Sequence, residues 1–410
     1  MVSVLAPLLI IQVVTQICVS LKFVSHPEAD LNLEQKIKKR GYPLEVHQVV
    51  TEDDYFLTIH RIPYGKRALR NRTGQRSPVL LVHGMGATPE YFFVLGRRSL
   101  PYYLADRGFD VWILNARGSP FSRKHKYLDI KKDVEYWWFS YHEIGVYDLP
   151  ANIDYIVNKT HQKVFVIGHS QGNTCYFVMS SERPDYNEKV KLGIAYAPSV
   201  IIYMDNPLPV FVSYFWNIFQ IIYDFLQLGV LLPTNNTVNF LTKLLCSETT
   251  YFSQVCVNYL SIVGTYESKL ITKETGSLIF SIPVVEISAR QIFHYMQTID
   301  SGIFRQYDYG EGNNLRRYKS KTPPVYNLTN AVAPAAVFYA EKDAYATVKG
   351  AQDTIKALPN AILDYKVPYE YFNHIDFLFG YNASSLVYKP TVKLFKDFDN
   401  GKFNKKVKTR

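Results

Sequence analysis

The stretch Val164 to Gly172, VFVIGHSQG, passes from an apolar run into a Gly-x-Ser-x-Gly pentapeptide and on into NTCYFVMSSE, a helix-compatible segment. Glycines at Gly168 and Gly172 permit a crowded strand-to-helix turn, which would hold the Ser170 hydroxyl exposed. The helix start behind it adds positive potential. A hydroxyl is a weak nucleophile at neutral pH, so Ser170 needs a base, and the base needs an acid to orient it. For a serine on such a turn the chain order is serine, acid, histidine. Of the ten histidines only His294 and His374 follow Ser170. His294 lies in RQIFHYMQ, with no acid-bearing strand end between it and the serine. His374, in the turn-like FNHIDF, is therefore the expected base. Asp343 ends the apolar run AAVFYAEKD and is the expected acid, ahead of Asp364, inside a strand pattern, and Asp376, only two residues from His374. Serine attack on an ester carbonyl creates an oxyanion, and backbone N–H groups must stabilise it. Gln171, after the nucleophile, and Met85, in the glycine-flanked loop of VLLVHGMG, are the expected donors, with Gly84 and Gly86 allowing close approach.

These residues need a scaffold that brings strand ends together. Short apolar runs recur at Val79 to Val82, Val111 to Leu114, Val164 to Ile167, Leu192 to Ala195, Ala335 to Tyr339 and Ile362 to Val367, each followed by a helix-compatible stretch. That alternation predicts an α/β fold with a mostly parallel sheet covered on both faces, which with the serine turn means the α/β-hydrolase fold. Between about Ser199 and Gly310 the alternation fails and the chain turns aromatic and apolar. The expected division is a leader at 1–20, a first core segment at 21–198, a helical cap or lid at 199–309, and a second core segment at 310–410. Within the cap, Pro207 to Pro233 approaches membrane-span length, but Asn217, Gln220, Asp224 and Gln227 interrupt it. Burying Asp224 in a bilayer would cost roughly 2.5 to 3.5 kcal/mol, so a lid exposing apolar surface to lipid fits the pattern better.

The opening MVSVLAPLLIIQVVTQICVS is apolar, uncharged and ends in small residues, as a secretory signal peptide does. Export predicts an oxidising environment and a secreted or lysosomal location. Cys246 and Cys256 flank a short segment and form the natural disulfide pair, while Cys175 reads as a buried free thiol. Five sequons, at Asn71, Asn158, Asn235, Asn327 and Asn382, agree with passage through the secretory pathway. No Cys/His cluster suggests a metal. The net charge of +10 on 410 residues is scattered except at the terminal KKVKTR, and no nucleic-acid module is present.

Taken together, GYPLEVHQVVTEDDYFLTIHRIP, LVHGM, DVWILNARGSPFSRKH, FSYHEIGVYDLPANIDYI, GHSQG, RPDYN, SGIFRQYDYG and FNHIDFLFG run in the same order as in the acid lipase family of animals, the gastric and lysosomal acid lipase type, which the chain resembles over nearly its whole mature length. The resemblance implies Ser170, Asp343 and His374 as the catalytic residues, Gln171 and Met85 as oxyanion donors, a cap disulfide at Cys246 and Cys256, and an interfacial lid near Pro207 to Pro233. Departures from the family pattern are Asp54 for a usual glycine, Leu114 for another, Asn173 for threonine, and Met85 for leucine. The implied activity is cofactor-free hydrolysis of neutral lipid esters, triacylglycerol or sterol ester, at a droplet, micelle or membrane surface, with no protein partner required. The alternatives are a catalytically silent lipid-binding or storage protein on the same fold and an esterase for small soluble esters.

Overall fold

The computed structural model describes residues 28–66, 75–204, 215–226, 228–231, 236–263, 268–402 and 408–409. The expected leader and the sequons at Asn71 and Asn235 lie outside the described residues.

The principal strands are Glu45–Val50 (β1), Tyr55–Ile62 (β2), Pro78–Val82 (β3), Asp110–Leu114 (β4), Val164–His169 (β5), Val190–Tyr196 (β6), Ala335–Tyr339 (β7) and Ala361–Lys366 (β8). They form one sheet in the order β1-β2-β4-β3-β5-β6-β7-β8, with two-residue strands Lys124–His125 on β2 and Lys408–Thr409 beyond β8. From β4 to β8 all neighbours run parallel, and antiparallel pairing is confined to the β1–β2 end, where β1, β4 and Lys124–His125 all pair antiparallel with β2. This is the α/β-hydrolase architecture. Every residue of β3, β4, β5 and β7 is buried, as a sheet covered on both faces requires. Strand alternation divides them cleanly: Val79, Leu81, Val111, Ile113, Phe165 and Ile167 pack on one face with Leu394 and Phe395 of Lys389–Asp399. Leu80, Val82, Trp112, Leu114 and Val166 pack on the other with the helices Leu149–Thr160 (α1) and Gln171–Glu182 (α2). Each such aliphatic side chain contributes roughly 1.5–3 kcal/mol on burial, so truncating Leu80 to alanine would cost about 2–5 kcal/mol.

The β1–β2 hairpin is not among the strands expected from the chain, although β2 alternates buried and half-buried residues over its first half. Its tight turn puts Asp54 at φ 67, a left-handed conformation that glycine adopts freely and aspartate tolerates better than most residues. Asp54 therefore occupies the place of the family's usual glycine at a modest conformational cost.

Between β6 and β7 lie the helices Trp216–Phe225 (α3), Asn236–Leu245 (α4), Ser253–Val263 (α5), Lys273–Ser281 (α6) and Ala289–Ser301 (α7). A short antiparallel pair, Val230–Leu231 with Ile287–Ser288, joins them, a ladder that the all-helical expectation for this region lacked. Cys246, just after α4, is bonded to Cys256 in α5, with Cα atoms 5.6 Å apart. The described helix within Pro207 to Pro233 is α3, of 10 residues, and no described helix is long and apolar enough to cross a membrane. Large apolar side chains stand exposed along this region, among them Ile221, Phe240, Phe252 and Val255.

Candidate active site

Ser170 sits between β5 and α2 with φ 54 and ψ −121, a strained backbone for a non-glycine residue. The surroundings hold it there. A Cβ at Gly172 would come within 2.3 Å of the Val82 carbonyl oxygen, and one at Gly168 within 2.3 Å of Asn173 Oδ1. Only glycine fits either place. The Ser170 N–H donates to the Tyr196 carbonyl at 3.0 Å, and Asn173 Nδ2 donates to the same oxygen at 2.7 Å. Asn173, the family's usual threonine, thus ties the turn to β6.

His374 and Asp343 arrive from loops beyond β8 and β7. Those loops are clipped together by a parallel bridge between Lys342 and Asn373, with the Lys342 N–H donating to the Phe372 carbonyl at 3.2 Å. His374 Nε2 lies 2.8 Å from Ser170 Oγ, and its Nδ1 lies 2.9 Å from Asp343 Oδ2. A carboxylate can only accept, so Nδ1 carries the proton and Nε2 presents its lone pair to the serine hydroxyl. Asp343 is 2% exposed, and its Oδ1 also accepts the N–H groups of Tyr345 at 3.0 Å and Ala346 at 2.8 Å. A buried carboxylate with those donors is a fixed orienter for the imidazole.

The rival acids stand elsewhere. Asp364 lies within β8, and Asp376 accepts from Ser268 Oγ at 2.5 Å and from the Asn373 N–H at 3.0 Å. Burial pushes the Asp376 carboxyl up to about 7, against the pull of those two hydrogen bonds. His294 is also excluded as the base. It is buried on α7, stacked on Tyr141 with ring centroids 3.7 Å apart, and its Nε2–H donates to the Arg305 carbonyl at 2.9 Å.

Two histidines to which the sequence attached no role prop the site. His169, beside Ser170, donates from Nε2 to the His374 carbonyl at 2.9 Å. Burial, then the facing His374, holds the His169 pKa down to about 3, so it stays a neutral donor. His83 lies next to Gly84 and is buried. Their signal was their presence within GHSQG and LVHGM, but their partners are not local.

Met85 and Gln171 line one recess with Gly84, Gly86, Ile287 and Gln291. A Cβ at Gly84 would lie 3.1 Å from Ser170 Cβ, so the loop passes against the serine. Among the described residues neither the Met85 nor the Gln171 backbone N–H has a protein acceptor. Gln171 Nε2 donates to Gln291 Oε1 of α7 at 2.5 Å, linking the elbow helix to the region above it. Two unpaired N–H groups beside a serine–histidine–carboxylate chain can stabilise an oxyanion formed by attack on a carbonyl.

The remaining candidates are distributed as follows. Cys175 is a buried free thiol in the same recess, and burial raises its pKa well above the usual thiol value, which keeps it unreactive. Asn158 and Asn327 are exposed and Asn382 is half-buried. No group of three or more metal-ligating side chains forms among the described residues.

Comparison with known proteins agrees with this fold. A family model described as a partial alpha/beta-hydrolase lipase region matches residues 33–96, and one described as alpha/beta hydrolase fold matches residues 77–243. Lipase 3 of Drosophila melanogaster is 36% identical over 380 residues, covering 92% of this chain and 95% of that protein. Gastric triacylglycerol lipase of Homo sapiens is 35% identical over 375 residues, covering 90% and 92%. The same enzyme of Bos taurus is 34% identical over 379 residues, covering 91% and 93%. Among solved structures, a soluble variant of monoglyceride lipase from Saccharomyces cerevisiae in complex with a substrate analogue superposes with a TM-score of 0.50 at 16% identity, covering 87% of this chain and 97% of that one. Relatives named lipases, matched over nine-tenths of the chain and sharing its α/β-hydrolase sheet, make this a carboxylic ester hydrolase, and the chain belongs to the lipase family that includes gastric triacylglycerol lipase.

Proposed function

We propose that the protein hydrolyses esters of neutral lipids, triacylglycerol or sterol ester, through an acyl-enzyme on Ser170. His374 Nε2 takes the hydroxyl proton as Oγ bonds to the ester carbonyl carbon, and Asp343 stabilises the imidazolium that results. The Met85 and Gln171 N–H groups hold the oxyanion. Collapse of the tetrahedral species breaks the bond to the alcohol, which receives the proton from His374. Water, deprotonated by His374, then attacks the acyl group and releases the fatty acid and free Ser170. No step calls for a cofactor. What carries this proposal is the unbroken chain from Ser170 Oγ to His374 at 2.8 Å and on to Asp343 at 2.9 Å.

The lipid preference rests on residues 199–309 serving as a cap. Exposed apolar side chains on neighbouring helices, such as Ile218, Ile221 and Ile222 on α3 and Phe240 and Leu241 on α4, suit contact with a droplet, micelle or membrane surface. Passage through the secretory pathway, to the exterior or the lysosome, is supported by the disulfide and by exposed sequons at Asn158 and Asn327. The test is fatty-acid release from emulsified triolein and cholesteryl oleate, beside a soluble short-chain ester, for the wild type and Ser170→Ala. Turnover of the emulsions that disappears in the variant supports the assignment. Equal turnover by both proteins would overturn it.

A further inference from the structure

The proposed oxyanion donor Met85 lies on a loop whose N–H direction must be set by something, and the peptide linking Gly84 to Met85 is where that happens. The Gly84 carbonyl and the Met85 N–H belong to one planar unit and point in opposite directions. Fixing the carbonyl therefore fixes the donor. Two groups hold that carbonyl: His83 Nδ1 at 2.9 Å and the Ala87 N–H at 3.3 Å. The imidazole is itself held from its other side, since the Ala116 N–H donates to His83 Nε2 at 3.2 Å. Ala116 lies just past β4, whose Ile113 is in register with Leu81 of β3, so the clamp is anchored in the rigid sheet. An Nε2 that accepts from an N–H cannot carry a proton, which leaves the proton on Nδ1, facing the Gly84 carbonyl. Glycine suits position Gly84 as well, because a Cβ there would sit tightly against Ser170 Cβ at 3.1 Å. The loop consequently has no side chain of its own at this residue with which to fix the peptide.

We infer that His83 is a positioning residue for the oxyanion hole: as a neutral imidazole protonated on Nδ1, it clamps the Gly84–Met85 peptide so that the Met85 N–H points to the oxyanion site. His83 touches no reacting atom. Its contribution appears only when negative charge develops on the substrate oxygen, so its loss lowers kcat and leaves KM unchanged. Losing an oxyanion donor outright typically costs about a hundred- to a thousandfold in kcat. A misdirected donor should cost somewhat less, about ten- to a hundredfold.

The inference rests on the serine-hydrolase assignment, and the test separates the two. His83→Asn places an amide N–H near Nδ1 and can still donate to the Gly84 carbonyl. His83→Gln reaches the Nε2 position and Ala116 but leaves that carbonyl unclamped. With a soluble short-chain ester, His83→Asn should keep kcat within about threefold of the wild type. His83→Gln should lose about ten- to a hundredfold in kcat at unchanged KM, with a matching loss of affinity for a boronic-acid transition-state analogue. Equal kcat in the two variants, or a loss confined to KM, would overturn the role of His83 while leaving the Ser170 assignment standing. Turnover that survives in the Ser170→Ala variant would instead remove the assignment itself. A further measurement needs no variant to fold. In the native enzyme labelled with 15N-histidine, His83 should show the neutral Nδ1–H tautomer by NMR, and an Nε2–H tautomer would overturn the clamp.

Discussion

Two polar clusters are buried against the same sheet, and both contain carboxylates shut away from water. In one, Asp343 faces His374, which faces Ser170. In the other, Arg117, just past β4, is clasped between Asp53 of the β1–β2 turn and Asp148, which precedes α1. Arg117 Nη1 and Nη2 donate to Asp53 at 2.5 and 2.8 Å, while its Nε and backbone N–H donate to Asp148 at 2.7 and 2.9 Å. The guanidinium also lies 4.0 Å from the centre of the Tyr55 ring. The clusters differ in whether a proton can move. Arginine is a permanent cation, so the second cluster is a cross-link among three chain segments. Histidine can both take up and release a proton, so in the proposed mechanism the first cluster can pass a proton where the second cannot. Burial of a carboxylate therefore says little about function until its partner is known.

That contrast can be broken most decisively at Asp343. Asp343→Asn should lower kcat about 10⁴-fold, through the wrong imidazole tautomer, while its melting temperature stays close to that of the wild type. Normal turnover in this variant would remove Asp343 from the proposed mechanism. Asp148→Asn should do the reverse. Leaving Arg117 with a single carboxylate partner should cost about 3–5 kcal/mol of stability, read from urea unfolding, while kcat per folded molecule stays within about tenfold. An Asp148→Asn protein of native stability and no activity would show that the two clusters are not separate in role.

Asp376 sharpens the comparison, because it is a buried carboxylate with no cation bonded to it among the described residues. Burial lifts its pKa to about 7, above its unfolded value, so the folded state holds a proton that the unfolded chain releases. The resulting stabilisation is fully present below the unfolded carboxylate range and fades as pH rises through about 7. It amounts to at most about 4 kcal/mol. Denaturation of the wild type and Asp376→Asn between pH 4 and 8 should show the wild type losing stability relative to the variant as pH rises. Parallel curves would mean that Asp376 does not titrate in this range. The smallest expected effect is in the cap. Ile221→Ser with Phe240→Ser should lower turnover of emulsified triolein several-fold and leave a soluble ester untouched, and equal effects on both substrates would argue against a lipid-facing role for these helices.

Much of the sheet was legible from the chain because β3, β4, β5 and β7 are buried on both faces and consist largely of apolar runs. The β1–β2 hairpin was not. Val46 and Val50 are 48% and 51% exposed while Val49 is buried, so the apolar residues of β1 fall on both faces and give no apolar–polar alternation. Ser170 was legible for a local reason, since the strand, the two glycines and the helix are contiguous. The candidate base emerged from chain order, and Asp343 was favoured over Asp364 and Asp376 because it ends an apolar run. The supporting groups gave no such sign. Asp53 and Arg117 are 64 residues apart, and His169 and the His374 carbonyl are 205 apart, with no periodicity connecting them.

Local order along this chain determined the kind of sheet, the turn that exposes Ser170 and the short list from which a base and acid could be drawn. Those features depend on neighbours within a few residues, where side-chain size and backbone freedom act directly. Only the tertiary structure decided that Lys342 and Asn373 clip two distant loops, that His83 faces the Gly84 carbonyl, and that Arg117 meets two carboxylates while Asp376 meets no cation among the described residues. Such pairings arise when the sheet closes and desolvates groups far apart in sequence, and each buried polar atom must then find its partner in space, where distance along the chain carries no information.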